Sequence, residues 1–235
     1  PLVSAIGAGC SVIIKPSEHT PNTANLISRM MSELFKEEEI AVVQGDVSVS
    51  TELLKLPFNH IFFTGSPQVG KIVMKAAAEH LTSVTLELGG RNPTIIDETA
   101  NLKDAAQKIV WGKFLNSGQT CIAPNYIYVH ESQAQKLKDS LIEQIEIQYS
   151  KLDTTRTKIV NSNHFGRLTD LLDKTISAGG KLLYGGEKDG KINFLSPTLI
   201  SDITIDSPIF KEEIFGPILP ILTYSNLEEV IETIN

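Results

Sequence analysis

The chain is short of cysteine, of unbroken apolar runs and of clustered charge, and each shortage removes a class of protein. Two cysteines in 235 residues make no disulfide framework, and neither stands at short spacing from a second Cys or a His as a zinc site requires. No metal is expected, and a reducing, cytoplasmic setting fits. No stretch approaches the roughly 20 apolar residues that span a bilayer, and no basic segment leads into an apolar leader at the start. The sequence is therefore expected to be soluble, with no membrane segment. Lys and Arg number 21 against 28 Asp and Glu, a net charge of -7 spread along the chain without a basic tract. That balance argues against nucleic acid and anionic membrane as partners. The histidines, at positions 19, 60, 80, 130 and 164, lie scattered near element ends and receive no catalytic role. Internal repeats, low-complexity tracts and Pro/Ser-rich linkers are absent too.

What is present is ordinary globular material, 41% hydrophobic and 21% charged, enough for one large domain or two modest ones. Short apolar runs alternate with helical periodicity, the signature of parallel α/β units. Strands are expected at 11–15, 40–43, 60–63 and 84–88, with helices over 23–35, 51–54 and 68–81. The helix over 68–81 is expected to bury Val69, Ile72, Val73, Ala76 and Ala77. A second block follows Gly89-Gly90, with strands at 93–96 and 126–129, around 181–184 and 197–200, and at 218–222. Its helices are expected to bury Leu102, Ala105, Ile109 and Val110, then Ala134, Leu137, Leu141 and Ile145, then Phe165, Leu168, Leu172 and Ile176. The chain opens on Pro1 and closes within an amphipathic pattern at Leu227, Val230, Ile231 and Ile234, so an internal fragment of a longer protein is expected.

Cys121, in Asn116-Ser117-Gly118-Gln119-Thr120-Cys121, follows a helix in a polar loop expected to be mobile, which suits a nucleophilic thiol. The competing reading is a small buried hydrophobe, a role that fits Cys10 better. Glu87 lies 34 residues upstream on a strand where Val84, Leu86 and Leu88 share one face and Thr85 and Glu87 the other. Partial burial would tune its carboxylate for general-base work; an ordinary surface glutamate is the alternative. The junction Phe63-Thr64-Gly65-Ser66-Pro67 is a strand-to-helix turn of the kind that receives phosphate, with Ser66 as donor, or else a plain turn needing glycine for positive φ. Lys15 and Glu18, after the first strand, stand where a ribose is read, or in a solvated loop with Ser17 as a cap. Glu213 and Phe215, in Glu212-Glu213-Ile214-Phe215-Gly216-Pro217, suit a sugar hydroxyl and a flat ring, or a loop with a core aromatic.

Taken in this order and at these spacings, Ile14-Lys15-Pro16-Ser17-Glu18, Phe63-Thr64-Gly65-Ser66, Leu86-Glu87-Leu88-Gly89-Gly90, Gly118-Gln119-Thr120-Cys121 and Glu212-Glu213-Ile214-Phe215-Gly216-Pro217 resemble the NAD(P)-dependent aldehyde dehydrogenase superfamily. Lys71-Ile72-Val73-Met74 and Trp111-Gly112-Lys113 resemble its fatty-aldehyde, or class 3, branch. The resemblance implies part of a Rossmann-like cofactor domain over 1–88 and part of an α/β catalytic domain over 89–235, truncated at its C-terminal end. It implies oxidation of an aliphatic or aromatic aldehyde to the acid with NAD, NADP being possible. Cys121 would form the thiohemiacetal and thioester, and Glu87 would activate water. Lys15 and Glu18 would hold the adenosine ribose, Gly65 and Ser66 the pyrophosphate, and Glu213 and Phe215 the nicotinamide ribose and ring. It also implies an oxyanion-hole asparagine ahead of Pro1 and a homodimer for the full-length protein. The isolated 235-residue chain is accordingly expected to turn over poorly. A CoA-acylating relative and a non-catalytic fragment that keeps the scaffold are the alternatives.

Overall fold

The computed structural model describes residues 1–149 and 157–235. The chain divides into two compact units, Pro1–Leu88 and Gly89–Asn235. Each is described by itself.

In the first unit, α1 (Leu2–Gly7) leads into β1 (Val12–Ile14), α2 (Pro21–Leu34), β2 (Ile40–Val42), α3 (Val47–Leu53), β3 (His60–Gly65), α4 (Pro67–Ala78) and β4 (Ser83–Leu88). Strand β1 pairs in parallel with β2, and β3 with β4, so each pair is a strand–helix–strand unit crossed by one helix. α3 begins at Val47, four residues before the expected Thr51, because Asp46 caps it with its carboxylate on Ser48 N–H at 2.9 Å. α4 departs from the expected stripe. Gly70, Val73 and Ala77 are its buried residues, whereas Val69 and Ile72 are exposed. The helix meets its sheet through Gly70, where an added Cβ would lie 2.8 Å from the Leu88 side chain. That close approach rolls the contact line away from Val69 and Ile72. Cys10 is exposed rather than packed inside. α1 ends at Gly7 with Ala8 as its C-cap, Gly9 turns the chain with φ +78°, and among the described residues no apolar layer covers Cys10.

The second unit runs β5 (Pro93–Ile96), α5 (Leu102–Phe114), β6 (Tyr126–His130), α6 (Ala134–Gln148), α7 (Ser162–Ser177), β7 (Lys181–Tyr184), β8 (Lys188–Asp189), β9 (Phe194–Leu195), β10 (Thr198–Ser201), β11 (Ile218–Tyr224) and α8 (Leu227–Ile234). Five strands form one sheet in the order β5-β6-β11-β10-β7, parallel except for β7 against β10. The short antiparallel pair β8–β9 was not foreseen; two-residue strands leave no readable alternation.

Period-two alternation splits this sheet cleanly between two cores. Tyr126, Tyr128, Ile200, Ile218 and Leu222 face one side, with Leu168, Leu171 and Leu172 of α7 and with Phe210 and Ile214. Ile127, Val129, Leu199, Leu219 and Ile221 face the other, with Ala106, Ile109 and Val110 of α5 and Leu137, Leu141 and Ile145 of α6. A parallel sheet covered on both faces explains the unbroken apolar run Ile218–Leu222, every residue of which is buried. In α7 the buried stripe is Leu168, Leu171, Leu172 and Thr175, while Ile176 is 37% exposed. Thr175 takes the inward place by donating its hydroxyl to Leu171 C=O at 2.8 Å.

Candidate active site

In the first unit the candidate residues lie at or just beyond the carboxyl ends of strands. Thr64 of β3 pairs with Glu87 of β4, and Gly65 with Leu88, so Glu87 and the Gly65-Ser66 turn occupy the same carboxyl end of one parallel pair. Ser66 caps α4, its Oγ accepting from Val69 N–H at 3.3 Å and its own proton remaining available to a ligand. Gly65 does not have the positive φ that a plain turn would explain. Its need is space, because a Cβ there would lie 2.5 Å from the Phe63 ring. Glu87 is exposed within its unit, so the partial burial expected for it is not supplied by this unit. After β1, Lys15 Nζ donates to Glu18 Oε2 at 2.8 Å, and that hydrogen bond holds the Glu18 carboxyl below its ordinary range. Ser17 is not the helix cap. Its Oγ accepts from His19 N–H, and Thr20 stands at the N-cap with its hydroxyl donated back to Ser17 C=O at 3.3 Å rather than capping the helix.

In the second unit the candidates lie just before strands. α5 ends at Phe114, and Asn116, Ser117 and Gly118 follow with φ of +54°, +56° and +72°. Successive left-handed residues, two of them not glycine, are costly and persist only where the surroundings hold them. Here they are held. Asn116 Nδ2 donates to Gln119 C=O at 3.1 Å, and Gln119 Nε2 donates to Asn116 C=O and Lys158 C=O, both at 3.0 Å. Gln119 Oε1 accepts from Val160 N–H at 2.9 Å, and Ser117 Oγ donates to Thr157 C=O. The expectation of a mobile loop is therefore corrected. The polar side chains of Asn116-Ser117-Gly118-Gln119 tie the loop down, and Cys121 emerges from it exposed. Gly118 is also where this loop meets the segment before β11, since a Cβ there would lie 2.3 Å from Gly216 C=O.

That neighbouring segment carries Glu213 and Phe215. Phe210 and Ile214 are the buried apolar anchors, at 3% and 0% exposure, whereas Phe215 has φ +47° and is 38% exposed. The core-aromatic reading thus falls to Phe210, leaving the Phe215 ring open to a ligand. Glu213 turns inward. A Cβ on Gly89 would lie 1.8 Å from its Oε2, the Gly90 backbone hydrogen-bonds it, and burial raises its carboxyl above the ordinary value. Arg167 clips the segment from α7, donating to Glu212 Oε1 at 2.9 Å, to Glu213 C=O at 3.4 Å and to Ile214 C=O at 2.6 Å. Arg91 donates to Phe210 C=O at 2.7 Å.

Lys113, on the last turn of α5, is 1% exposed. Burial lowers its ammonium to about 7, opposed by the negative charge of Glu213. The sequence reading missed Lys113, Arg91, Arg167, Asn92 and Asn125 as members of the site. Lys113 had a visible signal, a charge four residues after Ile109 and three after Val110 on the buried stripe of α5. Apart from the Arg167–Glu212 ion pair, the arginines and asparagines act on main-chain carbonyls and amides, for which sequence carries no sign.

Among the described residues no group of three or more His, Cys, Asp or Glu side chains is gathered as a metal ion would need, and no helix is long and apolar enough to cross a membrane. Residues that suit a nicotinamide nucleotide are present: a capped helix start with a spare hydroxyl at Ser66, an ion-paired carboxylate at Glu18, and an inward carboxylate beside an open ring at Glu213 and Phe215. The aldehyde dehydrogenase family model matches residues 1–235. The 4,4'-diaponeurosporen-aldehyde dehydrogenase of Staphylococcus aureus is 48% identical over all of this chain and 51% of its own length. The mouse aldehyde dehydrogenase family 3 member A2 is 44% identical over all of this chain and 48% of its own. The chain thus spans about half the length of the curated relatives it matches. The substrate-bound structure of Staphylococcus aureus AldH superposes with a TM-score of 0.94 at 47% identity, over 99% of this chain and 51% of that one. A match over the whole sequence, on a mixed α/β fold with an exposed thiol loop, establishes that the chain belongs to the aldehyde dehydrogenase family, whose members are NAD(P)-dependent oxidoreductases.

Proposed function

We propose that the whole protein carrying this sequence oxidises an apolar aliphatic or aromatic aldehyde to its carboxylic acid with NAD, Cys121 being the nucleophile and Glu87 the base. The observation that carries the reading is the exposed Cys121 thiol on a loop whose strained backbone is held by side-chain hydrogen bonds of Asn116, Ser117 and Gln119. Strain retained at such cost favours a chemical role over a packing one. The Cys121 thiolate attacks the aldehyde carbon, forming a C–S bond and leaving the oxygen as an alkoxide. A bound nicotinamide nucleotide supplies the acceptor for the hydride released from that carbon. The product on Cys121 is a thioester, and Glu87 takes a proton from water as the water attacks it. The C–S bond then breaks to give the acid and the free thiolate. A carboxylate in the base position, able to activate water, favours hydrolysis over transfer to CoA.

Glu18 accepts the adenosine ribose hydroxyls with Lys15 steadying it, and its charge disfavours a 2′-phosphate, so NAD is the preferred nucleotide. Gly65 and Ser66 take the pyrophosphate at the start of α4, and Glu213 with Phe215 takes the nicotinamide ribose and ring. The apolar substrate is suggested by the relative named as a 4,4'-diaponeurosporen-aldehyde dehydrogenase. A homodimer and a reducing, cytoplasmic setting belong to the same reading, the latter because Cys10 and Cys121 are both free and exposed. The test is pre-steady-state. Cys121→Ala should give no burst of reduced nucleotide, and Glu87→Gln should give one burst and then stall. Steady turnover in either variant contradicts the assignment.

A further inference from the structure

Strands β5 and β6 begin side by side, with Pro93 opposite Tyr126, and β11 runs parallel beside β6, with Ile221 opposite Ile127. The residues immediately ahead of β5 and β6 are both asparagine. Asn125 N–H donates to Asn92 C=O at 2.8 Å, extending the ladder one step beyond the strands. From that step two side chains reach different segments. Asn92 Nδ2 donates to Cys121 C=O at 2.8 Å and to Ala123 C=O at 3.1 Å. Asn125 Oδ1 accepts from Ile214 N–H at 2.9 Å. The partners fix both amide orientations, because two carbonyls demand the NH2 of Asn92 and a backbone N–H demands the oxygen of Asn125.

The orientation at Asn125 has a cost. Among the described residues its Nδ2 is buried with no hydrogen-bond partner, and the residue is 3% exposed. A buried donor without an acceptor is expensive, and few occur in folded proteins. A filler residue would avoid it, so the side chain is retained for what its oxygen does. The path is continuous: Cys121 C=O, Asn92 side chain, Asn92 C=O, Asn125 N–H, Asn125 side chain, Ile214 N–H, with Glu213 the next residue. It ties the thiol loop to the carboxylate loop at a second point besides the Gly118–Gly216 contact.

We infer that Asn92 and Asn125 form a hydrogen-bonded relay that fixes the Cys121 loop relative to the Glu213–Phe215 loop, making both asparagines positioning residues for the thiol chemistry. The inference rests on Cys121 being the nucleophile, as proposed above. Neither asparagine touches substrate; each sets a distance between groups that do. Because thiol attack and hydride transfer need the reacting groups aligned, a loosened relay slows the chemical step more than it weakens aldehyde binding.

The experiment measures the single-turnover burst of reduced nucleotide and the KM for aldehyde in the whole protein carrying this sequence, with melting curves to select folded variants. Asn92→Ala and Asn125→Leu each lower the burst rate by roughly tenfold to hundredfold with little change in KM. The double variant is no slower than the slower single, as expected of two links in one chain. Asn125→Asp, which keeps the acceptor oxygen, recovers most of the loss of Asn125→Leu. If Asn125→Leu does not fold, Asn125→Ala takes its place in the cycle. Folded single variants with an unchanged burst, or losses that multiply in the double variant, overturn the relay. The Cys121→Ala control separates the two levels. A persisting burst there refutes the nucleophile assignment, whereas a lost burst there with unaffected asparagine variants refutes the relay alone.

Discussion

The two units offer functional groups in opposite ways. In the first, Lys15, Glu18, Gly65, Ser66 and Glu87 stand at or just beyond the carboxyl ends of strands, the usual place for ligands in an open parallel sheet. In the second, Cys121, Glu213 and Phe215 stand on the segments that enter β6 and β11, ahead of the strands. The cores differ as well. Among the described residues of the first unit, Ala24, Ile40, Val73 and Ala77 are the buried apolar side chains, while the second has a layer on each face of a five-stranded sheet. Residues placed by strand ends need little local support. Residues on long entering segments need it, and the second unit supplies Arg91, Arg167, Asn92, Asn125 and Gln119 for that purpose.

The contrast in cores gives the largest expected effect. Phe210, 3% exposed and edge-on to Tyr126 at 5.2 Å, loses about 3–5 kcal/mol of stability on mutation to Ala. Ile72, 61% exposed on α4, loses under roughly 0.5 kcal/mol on the same truncation. Paired denaturant titrations measure both, and equal losses would abolish the distinction between the units.

The second effect concerns the charge buried in the thicker core. Lys113 keeps its proton to about 10.5 in the unfolded chain but only to about 7 in the folded one. Between those values the unfolded state binds more protons, so the contribution of Lys113 makes stability rise with pH across the window. Below about pH 7 its penalty is complete. Lys113→Met should therefore stabilise the protein at pH 6 by a few kcal/mol, a gain that fades toward pH 10. Denaturation midpoints of the two proteins across this range decide it, and a gain independent of pH would contradict the account.

The smallest effect lies at the exposed strand end of the first unit. Glu18→Gln removes the charge that repels a 2′-phosphate and should shift the NADP-to-NAD affinity ratio several-fold. Its stability cost should stay within about 1 kcal/mol, as for a solvent-facing pair. Binding titrations with both nucleotides measure the shift, and an unchanged ratio would remove Glu18 from nucleotide selection.

Where sequence carried a local signal, the reading came through. Alternation around β4 put Glu87 opposite Leu86 and Leu88, and the apolar run Ile218–Leu222 marked a strand, although not that both its faces are covered. Periodicity in α6 marked Leu137, Leu141 and Ile145, all buried. It failed where burial depends on what lies across a helix, as for Ile72 and Ile176, and at Cys10, which no layer covers. The mobility assigned to the Cys121 loop failed for a related reason. Polar composition says nothing about whether Gln119 meets water or the main chain at Lys158 and Val160. Asn92 and Asn125 were invisible because their partners are backbone atoms as many as 89 residues away in sequence.

The measurement that bears most directly on the central claim is peptide mass mapping of the whole protein's Glu87→Gln variant after one turnover with aldehyde and NAD. The account predicts an acyl group on the peptide containing Cys121, with one equivalent of reduced nucleotide released per site. Reduced nucleotide formed with Cys121 unmodified, or the acyl group on another residue, would contradict it.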